Sequence, residues 1–248
     1  MFLFLFQRLK AALQGRGYGI HSPSLYHLLR EVVRQREAYY CYRPLGEKHE
    51  AARQAIRMMN EKTKAAERKM GLLPQRECEF LFRLANELQP THAYLWGCGT
   101  GLEREYLQAA NSRLVCEDWA AVQHKEWTKM RTNEQAEREV ERVEERAKQT
   151  EARLFVLNCE RGQAVPFQAL EAVLNGLSER DAVFISGFRR SFWSCGGFSL
   201  SRKGELPGKD WKALRSHSRV RVSINLHTCG ILLGLPGDYH KRHIWANL

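Results

Sequence analysis

Apolar residues recur along this chain with two different periods. In the first third the spacing is helical. Phe2, Leu5, Phe6, Leu9 and Leu13 predict a short amphipathic helix over Met1–Gln14. Leu25, Leu28, Leu29, Val32 and Val33 predict a second over Ser24–Arg36, with Ser22 and Pro23 as cap and first helical position. The glycine-rich run Gly15–Gly19 links the two. The aromatic stretch Ala38–Tyr42 leads to Pro44 and predicts a turn or a short extended piece. A long, mostly polar helix follows over Glu50–Met70. Ala51, Ala55, Ile56, Met59 and Ala66 face inward in this reading, and Arg53, Arg57, Lys64 and Arg68 outward.

From Cys78 onward, helices alternate with short apolar runs. Phe80, Leu81, Leu84, Ala85 and Leu88 form a helical stripe that stops at Pro90. Predicted strands are Ala93–Trp96, Arg113–Cys116, Leu154–Leu157, Ala182–Ile185, Val220–Leu226 and Ile231–Leu235. Predicted helices between them are Leu102–Ala110, the highly charged Ala120–Thr150, Phe167–Leu177 and Asp210–Ser216. Such alternation predicts an α/β domain, a mostly parallel sheet covered on both faces. The expected division is a helical extension over 1–76 and a three-layer Rossmann-like domain over 77–248.

The candidate chemistry lies where the first strand ends. Gly97-Cys98-Gly99-Thr100-Gly101 stands between a strand and a helix, and the next strand closes on Glu117-Asp118. Glycines at Gly97, Gly99 and Gly101 let a backbone turn tightly against a nucleotide-type cofactor, and an acid at Glu117 or Asp118 suits ribose hydroxyls. The single-residue spacing lacks the x-x-Gly of the dinucleotide fingerprint, which places NAD below other cofactors. A plain tight turn without ligand is the alternative.

Composition narrows the classes. The chain has 248 residues, 44% of them hydrophobic, which suits one α/β domain with an extension. The apolar run at Met1–Phe6 is too short to span a bilayer and lacks the flanks of a secretory signal. The seven cysteines are scattered without a CxxC pair, which predicts a reducing, cytoplasmic setting and neither a disulfide framework nor a zinc site. His240 and His243 lack further ligands, so no metal site is expected. The net charge of +11 suits a polyanion such as nucleic acid or anionic lipid, and an acidic protein is a further candidate partner.

Several strings resemble the class I S-adenosylmethionine-dependent methyltransferases, in particular a Bacteroidetes type with an N-terminal GIHSP element. They are Gly19-Ile20-His21-Ser22-Pro23, Tyr39-Tyr40-Cys41-Tyr42, Leu81-Phe82-Arg83-Leu84-Ala85, Asp181-Ala182-Val183-Phe184-Ile185, and Val220–Leu226 with Gly230-Ile231-Leu232. The resemblance implies a seven-stranded sheet whose last strand is antiparallel, with S-adenosylmethionine bound at the C-terminal strand ends.

Three departures from that pattern predict an eroded site with weakened cofactor binding. Leu95 stands where the family has an acid, and no glycine-rich segment occupies Asn60–Ala66. Ile185-Ser186-Gly187-Phe188-Arg189 replaces an Ile-Asp-Gly-Asn-His corner, and Ser186 cannot serve as a carboxylate ligand. Arg189 and Arg190, interleaved with Phe192, Trp193 and Phe198, suit contact with a polyanion by charge and stacking; alternatively Phe192, Trp193 and Phe198 fill the core. His21 is a candidate base or a structural residue at the helix start. Two functions follow: a divergent methyltransferase of unknown acceptor, or a non-catalytic module of that fold that holds nucleic acid or an acidic protein.

Overall fold

A computed structural model describes residue 20 and residues 22–59, 72–119, 152–159, 167–187, 210–226, 228–235 and 241–246. The expected helices Met1–Gln14 and Ala120–Thr150 lie outside the described residues, as do His21, Lys64, Arg68, Arg189, Arg190, Phe192, Trp193 and Phe198.

Seven strands form one sheet: β1 (His92–Trp96), β2 (Val115–Asp118), β3 (Arg153–Asn158), β4 (Ala182–Ser186), β5 (Val222–Asn225), β6 (Cys229–Leu233) and β7 (Arg242–Trp245). Their order is β2-β1-β3-β4-β6-β5-β7. All run parallel except β6, which pairs antiparallel with both β4 and β5. The antiparallel strand is therefore the sixth and not, as expected, the last. A tight turn, in which Leu226 N–H donates to Cys229 O at 2.9 Å, reverses the chain from β5 into β6. β6 then finishes at the sheet end where β7 begins, so β7 adds to the outer edge of β5 in the parallel sense.

Two-residue alternation divides the strand side chains between two cores. Ala93, Leu95, Leu154, Val156, Ala182 and Phe184 face one side; Phe155, Leu157, Val183 and Ile185 face the other. The first side is covered by α1 (Pro23–Leu28), α2 (Tyr42–Met59), α3 (Gln75–Leu88) and α4 (Leu102–Ala110). The second is covered by α5 (Phe167–Asn175) and α6 (Asp210–Ser216). Three layers result. Residues Leu25–Val33 share the first core with the strands, so the N-terminal helices pack as part of the domain's own interior.

α1 starts as its sequence predicts, with Pro23 in the first turn and the Ser22 hydroxyl accepting from Leu25 N–H at 3.4 Å. It continues as a π turn, Leu29–Val33, closed by Arg34 N–H donating to Leu29 O at 3.0 Å. The wider turn buries Leu29, Val32 and Val33 together.

α2 differs from expectation. It begins at Tyr42 and runs through Pro44, because a proline in the first turn gives up an N–H that has no intrahelical acceptor. Its inward face is formed by Leu45, His49 and Ile56 with half-buried Ala52, and Ala51 and Ala55, expected inside, are exposed. His49 is buried and its Nε2–H donates to Leu73 O at 2.7 Å.

The strings Tyr39–Tyr42 and Leu81–Ala85 meet in space. The Phe82 ring lies 4.9 Å from Tyr39 and 5.3 Å from Tyr42, centroid to centroid. Buried Arg83 donates from Nε to Val32 O at 2.8 Å and from Nη1 to the Tyr42 hydroxyl at 3.2 Å. That hydroxyl in turn donates to Glu79 O at 3.1 Å. Burial, partly offset by Arg83, pushes Tyr42 up to about 12. Arg83 thus clips the π turn and the start of α2 to α3.

At the N-terminal end of β4, Asp181 is buried and accepts from Arg153 Nη2 at 2.6 Å and from Ser178 N–H at 2.7 Å. This carboxylate holds β3 to β4 and is occupied by that work.

Candidate functional site

The C-terminal edge of the sheet collects the predicted residues. β1 ends at Trp96 and turns through Gly97 (φ +73°) and Gly101 (φ +75°), both in the region that favours glycine. The two have different reasons to be glycine. A Cβ on Gly97 would lie 2.3 Å from the backbone oxygen of Asn158, so the turn packs directly on the end of β3. Gly101 caps α4, and a Cβ there meets nothing within 4 Å. Gly99 is exposed between them.

Glu103, in the first turn of α4, is fully buried. Its Oε2 accepts from the Thr100 hydroxyl at 3.3 Å and its Oε1 from Leu73 N–H at 3.4 Å, which ties the glycine loop to the segment before α3. Burial raises its pKa above the usual carboxylate range, and these hydrogen bonds offset part of the rise. Glu105, one position beyond Arg104, pairs with Lys48 of α2 at 2.6 Å. Neither acid was singled out from the sequence. Their place in the first turn after the glycines was the available signal, because acids stabilise a helix N-terminus.

β2 pairs in parallel with β1, Asp118 against Leu95 and Glu117 against Tyr94, so the acidic pair ends on the same edge as the glycine loop. Glu117 is half-buried and Asp118 exposed. Trp119 follows, buried, with its ring 6.0 Å from Trp96 in an edge-to-face contact. Thus Gly97, Gly99, Gly101, Glu117 and Asp118 share one end of two adjacent strands.

The corner at β4 is different. Asn158, Ser186 and Cys229 stand in register across β3, β4 and β6, on the face that α3 covers, and all are fully buried. Glu77 reaches in from the first turn of α3, and its Oε2 accepts from the Ser186 hydroxyl at 2.5 Å. Burial, then the nearby Glu77, pushes the Cys229 thiol well above its ordinary value. Burial does the same for Cys98, with Glu103 next in importance. These thiols stay protonated and unreactive at neutral pH. Sequence reading found Ser186 but missed Glu77, Asn158 and Cys229. A signal existed for Glu77: it sits on the apolar stripe of Phe80, Leu81 and Leu84 at helical spacing.

Leu95 is 6% exposed and faces the first core with Val156 beside it in register, so an apolar side chain suits its surroundings. Of the expected polyanion residues on α2, Arg53 pairs with Glu50 and Arg57 is exposed. Among the described residues no group of three or more His, Cys, Asp and Glu side chains is placed to hold a metal ion. No helix among them is long and apolar enough to cross a membrane.

No family model, curated protein or solved structure matches the chain.

Proposed function

We propose that this chain is a divergent protein of the class I S-adenosylmethionine-dependent methyltransferase type, with the cofactor seated over the glycine loop after β1 and the acids that end β2. The charge around that loop supports the reading most directly. Glu117 and Asp118 close the strand beside the glycine turn, with Asp118 exposed, whereas Glu103 is buried and Glu105 is paired with Lys48. A dinucleotide would bring two phosphate charges to this acidic edge, where S-adenosylmethionine brings a sulfonium and no phosphate, its ammonium balanced by its own carboxylate. A mostly parallel seven-stranded α/β sheet with one antiparallel strand is in keeping with this reading, although that strand is β6 and not the last.

The bound cofactor would supply an electrophilic methyl group. The residues of this chain turn the backbone beneath it at Gly97 and Gly101 and offer carboxylates to its ribose. At the corner, Ser186 is committed to Glu77, so neither is free to position an acceptor through a metal. With Leu95 in the core, one charge-assisted partner for the ammonium is missing, worth about 1.5–3 kcal/mol.

Calorimetric titration with S-adenosylmethionine and S-adenosylhomocysteine tests this. Saturable binding is expected, about tenfold or more weaker than in a relative with an acid at position 95, and weaker again in Asp118→Asn. Absence of saturable binding at millimolar cofactor would overturn it. The second reading, a non-catalytic module, is favoured by the closed corner alone; cofactor binding without transfer to any acceptor pool would be its signature.

A further inference from the structure

A basic surface lies at the opposite end of the sheet, where β5 and β7 begin. Arg242 N–H donates to Arg221 O at 2.9 Å, which sets the two strand starts side by side. Lys241 reaches back to the carbonyls of Ser216 and His217, at 2.6 and 2.7 Å, and draws the end of α6 onto the same surface. Arg215, Arg219, Arg221, Lys241 and Arg242 therefore come together from two stretches, 212–221 and 241–242, with Lys212 one helical turn back along α6. Lys212, Arg219 and Lys241 are exposed, and Arg215, Arg221 and Arg242 half-buried.

The basic groups here act on one another. The pKa of His243 is lowered by burial, then by Arg215 and Lys241. His217 is lowered by burial and by Lys241, against an opposing pull from Glu171, with Arg219 lowering it further. Lys241 itself is lowered by burial and by Arg221. Among the described residues, Glu171 is the one carboxylate that registers on any of these three groups. The buried Nε–H of Arg215 has no acceptor.

We propose that this surface binds the phosphate backbone of nucleic acid without sequence preference. Four of the six cations are arginines, whose planar donors match phosphate oxygens in pairs. An anionic membrane fits less well, because such contacts add apolar anchors to the charge, and among the described residues the exposed large apolar side chains Tyr26, Tyr40, Met58 and Val115 all lie elsewhere. The surface is separate from the β1–β2 edge, so this inference stands whether or not the cofactor reading holds.

Fluorescence anisotropy of the full chain with a labelled single-stranded RNA oligonucleotide at several salt concentrations provides the test. The probe binds at low salt, and log affinity falls linearly with log salt. The double variant Lys212→Glu/Arg219→Glu, at two exposed positions, loses at least about tenfold in affinity and flattens the salt slope by about 1.4, the equivalent of two single-strand phosphate contacts. Arg43→Glu/Arg76→Glu changes the net charge equally on α2 and α3 and leaves binding within about twofold of the parent if the contact is local. Thermal melts confirm that both variants fold. Three results would each overturn the proposal: no RNA binding at low salt, equal losses in the two variants, or binding to phosphatidylserine vesicles in place of RNA.

Discussion

Along the C-terminal edge of the sheet, the loop after β1 leaves Gly99 and Gly101 exposed and β2 ends at exposed Asp118, whereas on the next two strands, β3 and β4, Asn158 and Ser186 are wholly buried and Glu77 covers Ser186. Both halves occupy the position where α/β sheets bind ligands. One half keeps an accessible turn and acidic rim. The other carries Ser186, hydrogen-bonded to Glu77 of α3, with Asn158 and Cys229 beside it in register. A small hydroxyl paired with a carboxyl from the covering helix is enough to close such a corner.

Substitutions at the join of the two halves should have the largest effect. Gly97→Ala places a Cβ against Asn158 O with φ in the unfavourable region, and should cost about 3 kcal/mol or more in chemical denaturation. Gly101→Ala shares the positive φ but has open space, so it should cost about 1–2 kcal/mol. Equal costs would mean that the turn does not pack on β3. Within the closed half, Ser186→Ala removes the donor to Glu77 and should cost about 1–3 kcal/mol. A neutral result would show that the corner admits water and is not sealed.

The smallest effect concerns pH. Glu103 has a raised pKa in the folded chain, so below its ordinary value of 4.5 both folded and unfolded states hold the proton. As pH rises past 4.5 the unfolded chain releases it first, and stability falls until the folded carboxyl also ionises. Glu103→Gln removes that fall. The variant should therefore gain on the parent between pH 4 and pH 7 in thermal melts, and parallel curves would contradict the burial of this acid.

Much of the strand pattern was legible because apolar runs bounded by glycine and proline are strong local signals. The stretch from Ala93 through Gly101 to Ala110 matches its expected elements, and Asp210–Ser216 is helical over the expected range. β7 was not legible. Its sequence Arg-His-Ile-Trp buries only Ile244 fully, and its place depends on the edge that β5 offers. α2 was misread at its start because Pro44 was taken as punctuation where the first turn tolerates it. The polar row at the corner escaped because Asn158, Ser186 and Cys229 meet only through strand register, which no single segment records.

The Arg83 clip also bears on how the chain emerges during synthesis. Arg83 and Val32 are separated by 51 residues, so the π turn leaves the ribosome well before its partner. Until α3 is made, Leu29, Val32 and Val33 have no surface of that helix to pack on, and the carbonyl of Val32 lacks its guanidinium. The nascent N-terminal segment is then an apolar stretch awaiting its cover, the condition in which chains recruit holding chaperones or collapse on themselves. A pause in translation between the π turn and α3 should lengthen that interval, and the yield of folded protein should respond to codon choice there more than to codon choice after β4.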